Sequence, residues 1–503
     1  MKLLKVLIKM MNKKLSLLAL SVILSLSLGG CTLLHTDYAR TTQMPSVDSY
    51  KHAKEFIGPL LSEKFWQDFK DEKLNSLIED AFKANIDLRV AAKNVEKARY
   101  ALDYSKTDRI PTLSASLGST AKRALDYHDS THKSSSGSFS LSYQADLFGK
   151  VEAEVESSYE NFRATAYDYW AMRLTVIQSV SEAYWQYAYA KEAVMLGEHD
   201  LEDSKKRLEL VEGRYNAGSI SEVDLTTARI NHLQVVETLH SRLMAQDKAR
   251  AALATLLGTT ADKDFATADL GYAAIPKFSL DIPAKLFARR PDLMEYEALA
   301  RKAYADYNQA KMAFFPDITL SAGITTGSSS TLANFLANPV GALGAAVTLP
   351  FLNFTKLESQ RKQAYTDIEI ADLNFVSAYI KAVQEVFDSV AAIKYYRVQV
   401  DTTYKELQLS KRNYEQYFER YKSGLEQLSD FIDAADTLRS AAIAYLQAKR
   451  DNLNATMELM ISLGGDTEQA IAEEDKRQQE QNTGTATGAL AVSASRAAAS
   501  GRN

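Results

Sequence analysis

Cysteine, proline and excess positive charge are all scarce in this chain, and each scarcity excludes something. A single cysteine, Cys31, stands among 503 residues, so no disulfide can form within the chain and stability must come from packing and association. Only nine prolines occur, and none lies in 112–275 or 351–503, which leaves both stretches open to very long helices. Lys+Arg number 59 against 64 Asp+Glu, with no basic cluster outside the N-terminus, so a nucleic-acid partner is excluded. Beyond the N-terminus no segment is apolar enough for a membrane-crossing helix. A crossing would have to be made by β-strands.

What is present begins with Lys13 and Lys14, an apolar run from Leu15 to Leu28, and then Leu28-Gly29-Gly30-Cys31. The run is about 14 residues, short of the roughly 20 that span a bilayer, and it ends in small residues suited to a signal peptidase. Residues 1–30 therefore read as a signal peptide, with Met10 and Met11 offering alternative starts. The sole cysteine sits at the cleavage point.

The chain repeats itself at an interval of 203 to 206 residues. Arg109-Ile110-Pro111-Thr112-Leu113-Ser114 returns as Phe315-Pro316-Asp317-Ile318-Thr319-Leu320, and Arg214-Tyr215-Asn216-Ala217-Gly218 as Arg420-Tyr421-Lys422-Ser423-Gly424. Leu257-Gly258 matches Leu463-Gly464, Glu182-Ala183-Tyr184 matches Glu385-Val386-Phe387, and Asp87-Leu88 matches Asp292-Leu293. This is a tandem duplication. Residues 66–270 form the first repeat: a short helix from Asn85 to Thr107, a strand pair in 112–148, a long helix 151–216 and a helix 222–257. Residues 271–465 form the second, with helix 288–314, a strand pair in 317–354, long helix 356–422 and helix 428–463. Residues 31–65 read as an irregular strap, and 466–503, rich in Glu, Gln, Thr, Ala and Gly, as a disordered tail.

Strand readings rest on alternation. Phe139, Leu141, Tyr143, Ala145 and Leu147 interleave with polar neighbours. Leu113, Ala115 and Leu117 do the same, as do Ile318, Leu320, Ala322 and Ile324, and then Leu343, Ala345, Val347, Leu349 and Phe351. Each long helix of about 65 residues would extend about 100 Å. Apolar residues recur every seven positions (Trp170, Ile177, Tyr184; Val376, Val383, Val390), the seam of a coiled coil. A short helix and a medium helix stacked end to end would match one long helix in length. Four strands cannot close a membrane barrel, so chains must pool them, eight from a dimer or twelve from a trimer, and a conducting pore favours at least twelve. A soluble sandwich with helical arms is the plainer alternative, but helices of that length would have no compact core to bury them.

The cleavage motif at Cys31, the duplicated halves, the run Gln144-Ala145-Asp146-Leu147-Phe148-Gly149 and the paired Arg-Tyr-x-x-Gly turns together resemble the TolC-type outer-membrane efflux proteins, lipoprotein branch, over residues 60 to 465. The resemblance implies a mixed α and transmembrane β fold: a duplicated subunit trimerising into a 12-stranded outer-membrane barrel plus a periplasmic α-helical barrel. It implies an exit duct for drugs and other small molecules, working with a periplasmic membrane-fusion adaptor and an inner-membrane RND-type transporter. Cys31 would carry a diacylglycerol thioether and an N-acyl chain such as palmitate. Thr32, in place of aspartate, suits delivery to the outer membrane.

The same resemblance places a periplasmic gate at the helix tips, with Asp430 and Asp433 as an acidic ring, Asp224 as the repeat partner of Asp430 in the first hairpin, and Arg214, Arg420 and Tyr421 as latch partners. Glu426 departs from the pattern by standing where some members carry a latch arginine. Gly218 and Gly424, which end the long helices in left-handed turns, would mark adaptor-docking tips. A protein-secretion duct, a heavy-metal efflux duct and a poreless periplasmic spacer are the competing readings, and the lipidation motif favours drug efflux over protein secretion. No enzyme is expected. The seven histidines are scattered, and His128 and His132, with His35 and His52, fall in segments read as loop or strap without a ligand cluster. No metal or cofactor other than the lipid is expected.

Overall fold

A computed structural model describes residues 35–39, 64–123, 131–270, 275–276, 290–326 and 339–465. The signal peptide, Cys31, His52, His128 and the C-terminal tail lie outside the described residues. In chain order the elements are α1 Glu72–Ala84, α2 Ile86–Lys106, β1 Thr112–Lys122, β2 His132–Ala145, α3 Lys150–Asn216, α4 Glu222–Leu256, α5 Pro291–Met312, β3 Asp317–Thr326, β4 Pro339–Thr348, α6 Phe354–Lys422 and α7 Leu428–Ser462. The chain divides into two units. One holds the strands with Lys93–Ala166 and Glu295–Ser377, and the other contains Tyr167–Met294 and the chain from Ala378 onward, with residues 64–92. The two long helices contribute to both.

In the first unit the strands pair antiparallel in the order β1-β2-β3-β4. The register sorts the faces cleanly. Leu113 pairs with Leu141, which pairs with Ala322 and then Leu343, on one face; Ser114 pairs with Ser140, and Ser116 with Ser138, on the other. Ser114 and Ser140 are joined through their hydroxyls at 2.7 Å and Ser116 and Ser138 at 2.8 Å. Every residue of β1 is exposed, so neither face is covered by its own chain. Phe148 stacks on Phe315 at 4.8 Å where the strands meet the helices.

Residues 35–39 lie against α5. Asn308, 1% exposed, accepts from the Thr36 amide and donates to the Thr36 carbonyl, while the Tyr304 hydroxyl donates to Ala39. Also in this unit, Glu160 is buried beside Arg163, which donates to both its oxygens at 3.1 and 3.0 Å. Burial raises the Glu160 pKa despite Arg163 and Arg301. A carboxyl that binds its proton more tightly when folded loses stability as pH rises from the ordinary carboxylate range through its raised value. Glu160→Gln is therefore expected to gain in melting temperature relative to the parent as pH goes from acidic to neutral, measured by thermal denaturation at the two pH values.

The second unit packs around Trp185, Tyr184, Ile177, Leu253, Met457 and Leu459. Three features differ from the sequence expectation. A 3-10 turn, Phe65–Phe69, and helix α1 precede the expected short helix, and the turn drives Phe65, Trp66 and Phe69 into this core. Asp71 caps α1 through the amides of Lys73 and Leu74, and Asn85, at φ −59 and ψ 127, breaks α1 from α2. The second difference concerns β4, which ends at Thr348; Leu349 stands outside it and Phe351 lies in a 3-10 turn begun by Pro350, because proline cannot extend the ladder. His132 opens β2 rather than lying in a loop.

The end-to-end stacking is visible at two junctions. Asn85 Nδ2 donates to the Leu256 carbonyl at 2.9 Å at the end of α4, while its Oδ1 accepts from the Leu88 amide and caps α2. One repeat later Arg290, before α5, donates through Nη1 to the Ser462 carbonyl at 3.0 Å at the end of α7. At the first junction Gly258 has φ +59, and a Cβ there would lie 2.6 Å from the Ala84 carbonyl oxygen, so only glycine lets the helices meet.

The seven-residue pattern also resolves into two stripes on α6. Ile368, Phe375 and Ala382 are buried against their own chain, whereas Leu373, Ile380 and Phe387 are exposed. Helix α4 likewise exposes Val223 and Ile230. Two stripes fit a helix with a neighbour on each side.

Candidate functional site

The tips of the two helical hairpins are built alike by sequence and differ in their contacts. Helix α3 ends at Gly218, φ +70, where the Gly218 amide donates to Tyr215 and the Ser219 amide to Arg214; α6 ends at Gly424, φ +74, where Gly424 donates to Tyr421 and Leu425 to Arg420. Both are paired 5→2 and 6→1 closures of a helix end. A Cβ at either glycine would meet nothing within 4 Å, so the demand is conformational and the tips themselves are open. Leu425 is 71% exposed at the second.

The expected gate residues gather here in the second unit, in distinct roles. Asp224 is committed to its own helix: its carboxylate accepts from the Ser221 amide at 3.0 Å and hydroxyl at 2.8 Å, while Ser221 Oγ accepts from the Asp224 amide, completing a capping box. Its repeat partner Asp430 is not, because Gln427 replaces the capping serine and makes no side-chain cap bond. Among the described residues the carboxylates of Asp430 and Asp433 have no hydrogen-bond or ion-pair partner, and Asp433 is exposed along a groove of about 500 Å³ that Glu406 and Asp436 also line. One substitution at a helix cap thus releases an acid that the other repeat keeps occupied.

The arginines diverge in the same way. Arg214 Nη2 donates to the carbonyls of Tyr421 (2.8 Å) and Lys422 (3.0 Å), and its guanidinium lies 4.3 Å over the Tyr421 ring. It fastens one hairpin tip to the end of the other long helix. Arg420 instead turns back on its own loop, with Nε 2.7 Å from Glu426. Glu426 is thus an intra-tip partner for Arg420. Tyr421, 3% exposed, has its phenol pKa raised by burial, against the charge of Arg214, so it stays a neutral packing group.

Phe431, fully buried, escaped the sequence reading and organises this region. Its ring lies 5.3 Å from Tyr421, 5.6 Å from Tyr414 and 5.7 Å from Phe418, with Val211, Leu225 and Leu428 around them. It lies in the first turn of α7 between Asp430 and Asp433, so its packing places both carboxylates. Its i+3 spacing from Leu428 and Ala434 was the available signal.

Among the described residues no helix is long and apolar enough to cross a membrane, and no group of three or more His, Cys, Asp or Glu could hold a metal ion. The outer membrane efflux protein family matches residues 77–259 and 282–465. The "Toxin and drug export protein A" of Aggregatibacter actinomycetemcomitans is 25% identical over 457 residues, 89% of this chain and 97% of that protein. The "Solvent efflux pump outer membrane protein SrpC" of Pseudomonas putida is 29% identical over 462 residues, covering 88% and 96%. Among solved structures, the Campylobacter jejuni CmeC outer membrane channel shares the fold with a TM-score of 0.77 at 24% identity over 88% of this chain and 98% of that one. The Neisseria gonorrhoeae MtrE outer membrane channel, solved in its open state, gives 0.70 at 24% identity over 86% and 96%.

Proposed function

Because the chain belongs to the outer membrane efflux protein family, and so is the outer-membrane channel of an efflux system, we propose that it acts as the homotrimeric exit duct of a tripartite pump. The observation that carries the trimer is the open four-stranded sheet, apolar on one face and hydroxyl-lined on the other, with β1 and β4 as its edges. Lipid cannot satisfy an unpaired edge, so β4 of one copy pairs with β1 of the next, and three copies give twelve strands. The exposed stripe Leu373, Ile380 and Phe387 supports the same association, since copies packed side by side would cover it.

Cys31 anchors the trimer through its diacylglycerol thioether and N-acyl chain. An inner-membrane RND-type transporter loads small molecules, and a periplasmic adaptor docks at the open tips around Gly218 and Gly424. Asp430 and Asp433, held by Phe431 and without partners among the described residues, line the gate: six carboxylates around a narrow axis attract cations and repel one another. Drug export is the cargo reading that the relatives' names favour.

Two measurements test this. Deleting the gene is expected to raise retention of a drug-like dye in a manner that depends on the inner-membrane proton gradient, with a Cys31→Ala strain reporting the lipid's share. Unchanged retention with loss of a secreted protein from the medium would assign the duct to secretion instead. In planar bilayers the double substitution Asp430→Ala, Asp433→Ala is expected to raise conductance at acidic and neutral pH alike, and unchanged conductance removes the gate assignment.

A further inference from the structure

Arg207 on α3 is a cation without an ion-pair partner among the described residues. It is 8% exposed, its Nη2 is buried with no hydrogen-bond partner, and no carboxylate among the described residues forms an ion pair with it. What it faces is an aromatic ring: its guanidinium lies 5.9 Å from the centroid of Phe431. Arg214, one heptad further along the same helix, lies 4.3 Å over Tyr421, and the Phe431 and Tyr421 rings are stacked at 5.3 Å with 14° between their planes. Two guanidinium groups of the first hairpin thus bracket a two-ring stack of the second. Their satisfaction is unequal, because Arg214 has two helix-end carbonyls and Arg207 has a ring face at the outer limit of useful cation–π distance.

Burying part of a charged group without a counter-charge is costly, and even buried ion pairs are often replaced by apolar side chains of similar volume with no loss of stability. The turn that its guanidinium faces is the first turn of α7. That turn carries Asp430, Phe431 and Asp433. The repeat partner of Arg207 is Asn413, so the two hairpins do not share a charge at this position.

We propose that Arg207 is a positioning residue that loosens the seating of the first turn of α7, so that the turn bearing the acidic pair leaves its aromatic socket at lower cost than the ring packing alone would set. Once Phe431 moves off, the guanidinium regains water, and the free energy recovered offsets part of the cost of opening. This rests on the gate reading for its consequence in transport, while the loosening itself is a property of the purified protein.

The test is amide hydrogen exchange over residues 428–436 in the purified full chain, comparing Arg207→Met and Arg207→Lys with the parent. Arg207→Met, which keeps the length and removes the charge, is expected to slow exchange in this turn about tenfold. Arg207→Lys is expected to leave it near the parent rate, and bilayer recordings of Arg207→Met to show fewer openings. Unchanged or faster exchange in Arg207→Met overturns the proposal, because the charge would then be neutral or stabilising where it sits. Failure of Arg207→Met to assemble overturns it equally. If exchange slows while Asp430→Ala, Asp433→Ala leaves conductance unaltered, the loosening stands and the gate assignment falls.

Discussion

Replacing Arg290 by alanine is expected to destabilise the second unit by about 3 kcal/mol. Four bonds are lost together: Nε and Nη2 reach the two Asp292 oxygens at 3.0 and 2.8 Å, Nη2 reaches Glu385 at 2.7 Å, and Nη1 reaches the Ser462 carbonyl at 3.0 Å. Burial works against the charge, but Asp292 and Glu385 outweigh it and hold the Arg290 pKa above its usual value. Asp292 and Glu385 are each a little over a third exposed and would rehydrate in part, which keeps the cost at the lower end for a broken buried pair. The Ser462 carbonyl would remain buried and unpaired. Arg290→Asn, which imitates Asn85 of the other repeat, is expected to recover the carbonyl contact and not the ion pairs, so it should fall between alanine and the parent. Chemical denaturation followed by helical circular dichroism checks the order, and an alanine variant as stable as the parent would show that the junction is held by packing alone.

Phe431→Ala is expected to cost about 3–5 kcal/mol, the range for emptying a buried phenylalanine site. The loss should be local, since the ring serves the tip cluster of Tyr414, Phe418, Tyr421 and Leu428 and is not part of the larger core around Trp185. The first turn of α7 should then exchange its amides faster and present Asp430 and Asp433 in no fixed position. Conductance is expected to rise as in the double aspartate variant, though here with both charges retained, which separates placement of the acids from their charge. Phe431→Leu should restore most of the seating. Conductance equal to the parent in Phe431→Ala would mean that the acidic pair is held by something other than this ring.

The two hairpins show what duplication permits. Ser221 and Asp224 close a capping box in the first repeat, and the equivalent Gln427 and Asp430 do not. Arg214 crosses to the other hairpin while Arg420 stays with Glu426. Equivalent sequence positions have therefore separated into a tip whose polar groups are occupied and one whose acids are available. A gate needs the second kind, since a carboxylate already bound to its own helix N-terminus has little left to offer a neighbouring copy.

By itself the sequence determined the element order and the repeat, because these rest on local physics. Proline-free stretches permit helices such as Lys150–Asn216, glycine at 218 and 424 supplies the positive φ that stops them, and alternation writes the two faces of the sheet directly into the chain. It also pointed to the tips, where Arg214 packs on Tyr421 and Asp430 and Asp433 flank Phe431. It missed α1, although Leu74, Ile78 and Ala81 carry a helical spacing, since Asn85 interrupts the pattern and the preceding aromatics resemble an irregular strap. Only the tertiary structure decided which side chains are free. Arg207, Arg214 and Arg420 are alike in sequence, yet one faces a ring, one caps a helix end and one pairs within its loop. The Arg207 and Arg214 contacts join residues more than 200 positions apart, and no local pattern encodes where the remaining hydrogen-bonding capacity of such a charge goes.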